Sequence, residues 1–290
     1  MKASRYNKVL GLAIGERSIQ VAEVNVAADK PEARHLAEFE YPAGAGLTEP
    51  TVLGERLAEF LREKHFTAKQ VVVGLPAKWL LVKTKEVPPV DESVAADLLR
   101  LQAEGEFSSE LRDLVFDYAG EANPAKSQNV LLVATQRKYV ELAEQICEAA
   151  KLSPIAVTSS AAALGAVTSR GATKNTVVLA LAPMGAELSA QSGGYPTSLR
   201  HLRSPGVNGQ DGLFISELRR AVSMLPVNGS TVGREATRLH VGRRSSVWRT
   251  RVTSEERRLP ALVAQTQLDD RGRTLGGGRR VGGVAAADLE

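Results

Sequence analysis

The feature that most constrains this chain is a pair of short apolar runs near its start, within residues 9–24, separated by a glycine. Residues 9–14, Val-Leu-Gly-Leu-Ala-Ile, are typical of a buried strand, and Gly15 stands where the chain must reverse, with the conformational freedom for the positive φ of tight turns. Residues 19–24 then alternate apolar and polar side chains, which predicts the returning strand of a hairpin. The backbone N–H groups of a glycine-bearing tip can hold a phosphate. An ordinary hairpin with a polar tip has the same pattern, so spacing alone leaves both interpretations open.

The remaining periodicity predicts strands and helices in alternation. After the hairpin we expect, in order, a strand at 32–41, a helix at 51–65, a fully apolar strand at 70–75, a strand at 79–88, a helix at 91–104, strands at 114–118 and 129–135, and a helix at 136–150. A strand and an alanine-rich helix at 155–170, a hairpin at 175–182 and 185–190, a strand at 194–200 and a helix at 210–225 follow. The many small side chains of 155–170 predict close helix packing.

Composition excludes several classes of protein. The chain has 290 residues, 43% of them hydrophobic, which is enough for a substantial core. Its net charge is +4, but residues 229–290 hold twelve arginines, no lysine and seven acidic residues, so the rest of the chain is close to neutral. A near-neutral body argues against binding of nucleic acid. The single cysteine, Cys147, excludes an internal disulfide and is interpreted as a buried apolar residue.

Neither the histidines nor the apolar runs indicate a specialised site. The four histidines match no metal-ligand spacing. No secretory signal is visible, and no run approaches the ~20 apolar residues of a membrane span. We therefore expect a cytoplasmic protein.

The opening hairpin resembles the first phosphate loop of the actin-like superfamily, which includes sugar kinases, Hsp70 chaperones and actin. The resemblance rests on Gly11, Gly15, Ser18 and Ile19. The superfamily's aspartate position is occupied here by Ala13, and its lysine position by Gln20. This resemblance implies an α/β, actin-like (ribonuclease H-like) fold with an inserted α+β subdomain and an incomplete second domain.

A second resemblance lies at 175–190, which is similar to the superfamily's second phosphate loop. Gly185 falls in that loop, and the aspartate position is most simply Ala180. The resemblance therefore implies two vestigial phosphate loops, with no catalytic residue and no metal ligand. The residues expected to line them are Gly11, Gly15, Glu16, Arg17, Ser18, Gln20 and Gly185.

Further motifs resemble the type IV pilus assembly protein PilM family and the related FtsA cell-division proteins. They are the apolar strand and turn Val71–Ala77, the Asp117-Tyr118 pair within a strand, the apolar strand Asn129–Thr135, and Lys151-Leu152-Ser153-Pro154 after a helix. The resemblance ends near Pro226. It implies a first subdomain at 1–77 continued at 153–173, an inserted subdomain at 78–152, the start of a second domain at 174–228, and an Arg/Gly-rich tail at 229–290.

The tail leaves three interpretations open. Its arginine content is typical of a basic arm for anionic lipid or nucleic acid. Its lack of apolar periodicity instead predicts disorder. The abrupt change to arginine without lysine also fits a segment not read in the family's frame. For the chain as a whole, a truncated or misread family member without a function of its own is a further hypothesis.

The resemblance to PilM implies a non-catalytic scaffold that binds the short cytoplasmic tail of an inner-membrane pilus or secretion protein. The partner's cytoplasmic tail would lie in a groove between the first and inserted subdomains. We expect no ATP hydrolysis and no cofactor, since Ala13 and Ala180 cannot hold the Mg²⁺ that accompanies ATP. The alternative is an actin-like ATP-binding protein or kinase whose metal ligands are displaced, for example to Glu16. Contact with the membrane is expected only through the partner, no nucleic acid is expected, and self-association is left open.

Overall fold

The structure of this chain is a computed structural model that describes residues 6–26, 31–106, 113–121, 123–168, 176–182, 185–192, 195–203, 212–225 and 238–243. In chain order the elements are β1 Lys8–Ile14, β2 Ser18–Asn25, β3 Glu32–Glu40, α1 Pro50–Glu63, β4 Gln70–Leu75, a short 3-10 helix Ala77–Trp79, β5 Leu80–Val87, α2 Glu92–Glu106, β6 Leu114–Ala119, β7 Gln128–Gln136, α3 Arg137–Ala149, β8 Ser153–Ser159, α4 Ser160–Thr168, β9 Thr176–Ala182, β10 Gly185–Ser192, β11 Tyr195–Leu202, α5 Gly212–Ser223 and β12 Arg238–Arg243.

The first sheet has the strand order β3-β2-β1-β4-β8. Strand β1 pairs antiparallel with β2 and parallel with β4, which in turn is parallel to β8. The predicted strands at 9–14, 19–24 and 70–75 therefore lie in one sheet. Helices α1 and α3 pack against this sheet and against each other, around a core that includes Leu10, Leu12, Ile14, Ile19, Val21, Leu53, Leu57, Val71, Val73, Leu75 and Ile146.

The range 78–152, expected as an inserted subdomain, contributes to three cores, in one of which Leu131 packs with Ala77, Ala161 of α4 and Leu199 of β11. Strands β5, β7 and β6 form a three-stranded antiparallel sheet, and one small core joins Val87 and Val130 to Ala95 and Leu99 of α2. Helix α3 instead places Ile146 and Cys147 in the core of the first sheet. Burial there raises the pKa of Cys147 to about 11, with a smaller contribution from Glu144, so its thiol is an apolar core group.

The second sheet repeats the topology of the first. Its order is β11-β10-β9-β12, with β9 antiparallel to β10 and parallel to β12. Both sheets therefore contain a unit of three antiparallel strands, a helix, and a fourth strand parallel to the first. Helix α4 connects β8 of the first sheet to this unit and contacts both sheets.

Strand β12 lies within the range 229–290 that the sequence predicts as a disordered tail. Residues 238–243 pair in parallel with β9, so they are an exception to that prediction. Leu239 and Val241 alternate with polar residues, as in a strand, but the run is short and its surroundings are rich in arginine and glycine. Residues 244–290 lie outside the described part of the chain.

A buried carboxylate joins β2 to the loop between α1 and β4. Glu23 is only 1% exposed, and its carboxylate accepts hydrogen bonds from the backbone N–H groups of Thr67 and Ala68 at 2.6 and 2.7 Å. Lys8 lies 3.6 Å away. Burial by itself raises the pKa of Glu23, but these hydrogen bonds and the charge of Lys8 outweigh it, so the pKa lies below its ordinary value.

We predict that Glu23→Gln weakens the acid dependence of stability. Because the folded-state pKa is lowered, the carboxylate stabilises the fold above the unfolded pKa of about 4.3, and this stabilisation is lost as the pH falls through the folded pKa. Urea unfolding at pH 7 should give a free energy of unfolding lower by about 2 kcal/mol for the variant, the scale of hydrogen bonds to a charged group. Between pH 6 and 3 the variant should lose less stability than wild type. Glu32→Gln, on the exposed end of β3, is the control and should behave as wild type; equal pH slopes for all three proteins would contradict the prediction.

Candidate functional site

The tip of the first hairpin is closed by its own hydrogen bonds. The N–H of Gly15 donates to the carbonyl oxygen of Ser18 at 2.9 Å, and the hydroxyl of Tyr41 donates to the carbonyl oxygen of Gly15 at 2.9 Å. The backbone N–H of Tyr41 donates to the carbonyl of Arg17, whose side chain is exposed. Gly15 is buried and does not adopt the positive φ that the sequence analysis expected. Instead, this buried glycine is held by the hydrogen bond from the Tyr41 hydroxyl to its carbonyl oxygen.

The polar side chains of the tip are also engaged within the chain. Glu16 forms an ion pair with Lys78, and the hydroxyl of Ser18 donates to the carboxylate of Glu38 at 2.7 Å. A phosphate approaching this tip therefore meets two carboxylates, and the positive charge of Lys78 is already neutralised by Glu16. Of the predicted phosphate-loop side chains, Glu16 and Ser18 thus have partners within the chain without an anion, whereas Arg17 is exposed.

The two remaining residues predicted for this loop, Gly11 and Gln20, lie in its strands. Gly11 pairs with Ala22, and Gln20 stands directly opposite Ala13. The amide nitrogen of Gln20 is buried and makes no hydrogen bond within the described residues. Gln20 therefore places an amide, rather than a cation, beside the alanine at the expected aspartate position.

The second hairpin shows a similar pairing. Ala180 of β9 stands opposite Glu187 of β10, as Ala13 stands opposite Gln20. Gly185, the predicted loop residue, begins β10, and a Cβ there would overlap the ring of His201. Gly185 therefore serves a close approach between strands, while the tip at 183–184 lies outside the described residues.

A row of buried polar side chains lies between β10 and α4. Glu187, Ser189 and Gln191 are all almost inaccessible to solvent. The amide nitrogen of Gln191 donates to the hydroxyl of Ser189 at 3.1 Å and to the carbonyl of Ala162 at 3.3 Å. A Cβ on Gly165 would overlap that amide, which is why α4 has a glycine there. The close packing predicted for this small-residue helix is confirmed.

Glu187 reaches the carboxyl ends of the parallel strands of the first sheet. Its Oε1 accepts a hydrogen bond from the N–H of Ala77 at 2.7 Å, and Ser160 Oγ lies 3.4 Å from its Oε2. The hydroxyl of Ser160 also donates to the carbonyl of Leu75 at 3.0 Å. Strands β1, β4 and β8 all end at this edge, where open α/β sheets commonly bind ligands. Here a carboxylate of the chain itself contacts a backbone donor at that edge. We refer to this edge, together with the adjoining tip of the first hairpin, as the candidate cleft.

The 3-10 helix Ala77–Trp79, which we name the junction helix, is bonded to all three sheets. Ala77 donates to Glu187 of the second sheet, and Lys78 pairs with Glu16 at the hairpin tip of the first. The carbonyl of Trp79 accepts from the hydroxyl of Thr135, in β7 of the inserted sheet, at 2.9 Å. Three consecutive residues therefore each contact a different sheet.

An aromatic surface adjoins the junction helix. The rings of Trp79 and Tyr139 stack with centroids 4.4 Å apart and planes 5° apart, and both side chains are partly accessible. Lys138 Nζ lies 5.1 Å from the centroid of Tyr139. We name the two rings the Trp79–Tyr139 platform. It bridges α3, which packs on the first sheet, and the start of β5, an edge strand of the inserted sheet on which Leu81 is 49% exposed.

Two kinds of feature are absent from the described residues. No group of three or more His, Cys, Asp and Glu side chains there is arranged to hold a metal ion. No described helix has the length and apolar character needed to cross a membrane.

Comparison of the structure with solved structures identifies its fold. It is similar to a PilM-PilN type IV pilus biogenesis complex, with a TM-score of 0.59 and 22% identity over 76% of this chain and 67% of that one. It is also similar to the cytoplasmic domain of EpsL, an inner membrane component of the type II secretion system of Vibrio cholerae, with a TM-score of 0.50 and 13% identity over 81% of this chain and 82% of that one. No protein-family model and no curated protein matches the sequence. The chain has the actin-like fold that the sequence analysis predicts.

Sequence reasoning missed the side chains that occupy the cleft. Glu187, Lys78 and Ser160 carry no motif, and Glu187 has the alternating polar position of a solvent-facing strand residue. The platform was missed as well, although a tryptophan just after a Leu-Pro turn, in a chain with only two tryptophans, was an available signal.

We predict opposite effects for two glycine-to-alanine changes in helices. Alanine is favoured over glycine in a helix by about 1 kcal/mol, and nothing surrounds a Cβ at Gly105 of α2, so Gly105→Ala should stabilise the chain. Gly165→Ala should lower the free energy of unfolding by about 1–3 kcal/mol, the cost of overpacking. Thermal unfolding of both variants tests this, and a stabilised Gly165→Ala protein would show that α4 does not pack this closely on β10.

Proposed function

We propose that this chain is a non-catalytic cytoplasmic scaffold of an inner-membrane assembly of the type IV pilus or type II secretion kind, and that it binds the cytoplasmic tail of a membrane partner. The proposal draws support from the two solved structures that it resembles, a PilM-PilN complex and the cytoplasmic domain of EpsL. Those similarities show the fold alone, so the support for the proposed function comes from features of this chain.

The observation that carries the proposal is the Trp79–Tyr139 platform. Stacked aromatic rings that remain partly accessible provide an apolar contact surface of the kind that aromatic anchors supply at protein interfaces. The platform lies where the first and inserted sheets meet, and β5 adds an exposed leucine and an edge strand beside it. An extended peptide fits such a place, because an edge strand supplies backbone hydrogen bonds and a ring surface supplies burial.

The closed cleft supports the non-catalytic part of the proposal. Phosphoryl transfer requires acids that position Mg²⁺ and donors that contact the phosphates. Ala13 and Ala180 provide neither, Ser18 is bonded to Glu38, and the N–H of Ala77 is bonded to Glu187.

The alternative is an ATP-binding protein in which a displaced acid replaces the missing aspartates. Glu16, Glu38 and Glu187 are the acids that the described residues bring to this region. Glu16 is paired with Lys78, whose positive charge opposes Mg²⁺ at that position. Glu38 accepts a hydrogen bond from Ser18, and Glu187 accepts one from the backbone. These arrangements favour the scaffold.

We predict that the platform binds the partner's tail. The probe is a synthetic peptide with the sequence of the cytoplasmic tail of the PilN-like protein from the same organism, titrated into the full chain by calorimetry. Trp79→Leu and Tyr139→Leu should each weaken binding at least about tenfold, because truncated aromatic anchors commonly cost about 2 kcal/mol. Leu36→Ala is the control, since Leu36 is exposed on β3 at the far edge of the first sheet. Equal affinity for all four proteins would place the tail elsewhere, and no binding by wild type would refute the proposed partner.

We also predict no ATP hydrolysis and weak or absent binding of Mg-ATP. The reason is that no carboxylate remains at the positions of Ala13 and Ala180 to anchor the metal. A phosphate-release assay and calorimetry should give the same null result for wild type and for Ala13→Asp, since Lys78 and Glu187 keep their contacts in that variant. Turnover by wild type that Glu16→Gln abolishes would instead establish the enzyme with displaced ligands.

A further inference from the structure

The junction helix is hydrogen-bonded to the second sheet at its first residue and carries the tryptophan of the platform at its last. Ala77 is its first residue and donates to Glu187 at 2.7 Å, and Trp79 is its last. It is a single turn, closed by the N–H of Trp79 donating to the carbonyl of Pro76 at 3.0 Å. Because so short a helix has no interior, a displacement of Ala77 changes the position of Trp79 as well.

Ala77 packs in a small apolar cluster with Leu131, Ala161 and Leu199, and the polar group that fixes its N–H is Glu187. Its side chain is 6% exposed, and Ala77 is buried too, so the Ala77 N–H has no ready access to water if the carboxylate is removed. A buried backbone donor left without an acceptor is costly, and the chain around it relaxes to find one. The relaxation reaches Trp79 because Lys78 and Trp79 follow Ala77 directly.

We propose that Glu187 is a positioning residue for Trp79, and that the second sheet thereby controls the shape of the platform through the junction helix. The effect on partner affinity rests on the proposed function, whereas the effect on Trp79 itself does not. Since coupling between sites is reciprocal, a peptide bound on the platform also holds the second sheet more firmly against the first.

Three substitutions of Glu187 distinguish the loss of its hydrogen bond to Ala77 from the loss of its negative charge. Glu187→Gln keeps a carbonyl oxygen that accepts from Ala77, and its amide nitrogen meets a Ser160 hydroxyl that is able to accept. Glu187→Ala removes the acceptor, and Glu187→Asp, a milder change, holds its carboxylate one methylene too far from Ala77. The control is Ser189→Ala, which removes a buried hydroxyl from the same row without touching the junction helix.

The experiment uses the full chain in a Trp248→Phe background, which leaves Trp79 as the only tryptophan. Three quantities are measured for each variant: the fluorescence emission of Trp79, the exchange rate of the Ala77 amide proton, and the affinity for the same tail peptide. We expect Glu187→Ala and Glu187→Asp to shift the Trp79 emission and to speed exchange of the Ala77 amide proton at least tenfold. Both should weaken binding of the peptide about tenfold, or 1.4 kcal/mol. Glu187→Gln and Ser189→Ala should stay within about twofold of the parent. Added peptide should slow Ala77 exchange in the parent.

The outcomes that overturn the proposal differ from those that overturn the proposed function. If Glu187→Asp leaves Trp79 emission and Ala77 exchange unchanged, the second sheet does not position Trp79. If Ser189→Ala shifts both as strongly as Glu187→Asp, the effect is general loosening of the joint and the proposal fails. If no variant binds the peptide but emission and exchange respond as expected, the positioning role stands and the proposed partner is refuted. If Glu187→Ala does not fold, Glu187→Asp and Glu187→Gln carry the comparison.

Discussion

The central position of β1 in the first sheet is the constraint on which the rest of the structure depends. Its antiparallel pairing with β2 forms the hairpin, and its parallel pairing with β4 places the ends of β1, β4 and β8 at one edge. The hairpin tip, the junction helix and the start of α4 consequently meet there. The candidate cleft and the residues that close it are a consequence of this arrangement of strands.

The functional interpretation depends on the groups that occupy the edge where β1, β4 and β8 end. At that edge Ser18 is bonded to Glu38, Lys78 is paired with Glu16, and the N–H of Ala77 is bonded to Glu187. A phosphate would have to displace carboxylates from these groups, and each displacement would leave a negative charge nearby. The alanines at positions 13 and 180, where aspartate was expected, and these internal acceptors both support the proposal that this edge holds the chain together rather than a nucleotide.

The contact between β10 of the second sheet and α4, the helix that connects the two sheets, is lined by polar side chains, whereas most buried contacts in proteins are apolar. Strand β10 buries Ala186, Leu188 and Ala190 in the core of the second sheet, and it places Glu187, Ser189 and Gln191 against α4. Directional hydrogen bonds specify one relative position of the sheets more sharply than apolar contact does, because a small shift breaks them. This specificity gives the junction helix a defined position and lets it connect the second sheet to the aromatic surface beside the inserted sheet.

The sequence by itself determined the order of the strands and helices from β1 to α5. Apolar residues at alternate positions in 19–24 and at helical spacing in 51–65 are local patterns, and they appear in the structure as β2 and α1. Ala13, Gln20 and Gly15 could likewise be identified within one short motif. Strand β12 could not, because its two apolar side chains are too few to stand out among arginines and glycines.

Only the tertiary structure decided how the cleft is closed and where the aromatic surface lies. Glu187 and Ala77 are 110 residues apart, and Glu16 and Lys78 are 62 apart. Trp79 and Tyr139 are likewise brought together from different elements. Each of these contacts depends on the long-range pairing of strands, which no local pattern encodes. The sequence does not distinguish a glutamate whose carboxylate is buried from one whose carboxylate is solvated. The role of Glu187 is therefore visible only in the tertiary structure, where α4 covers it.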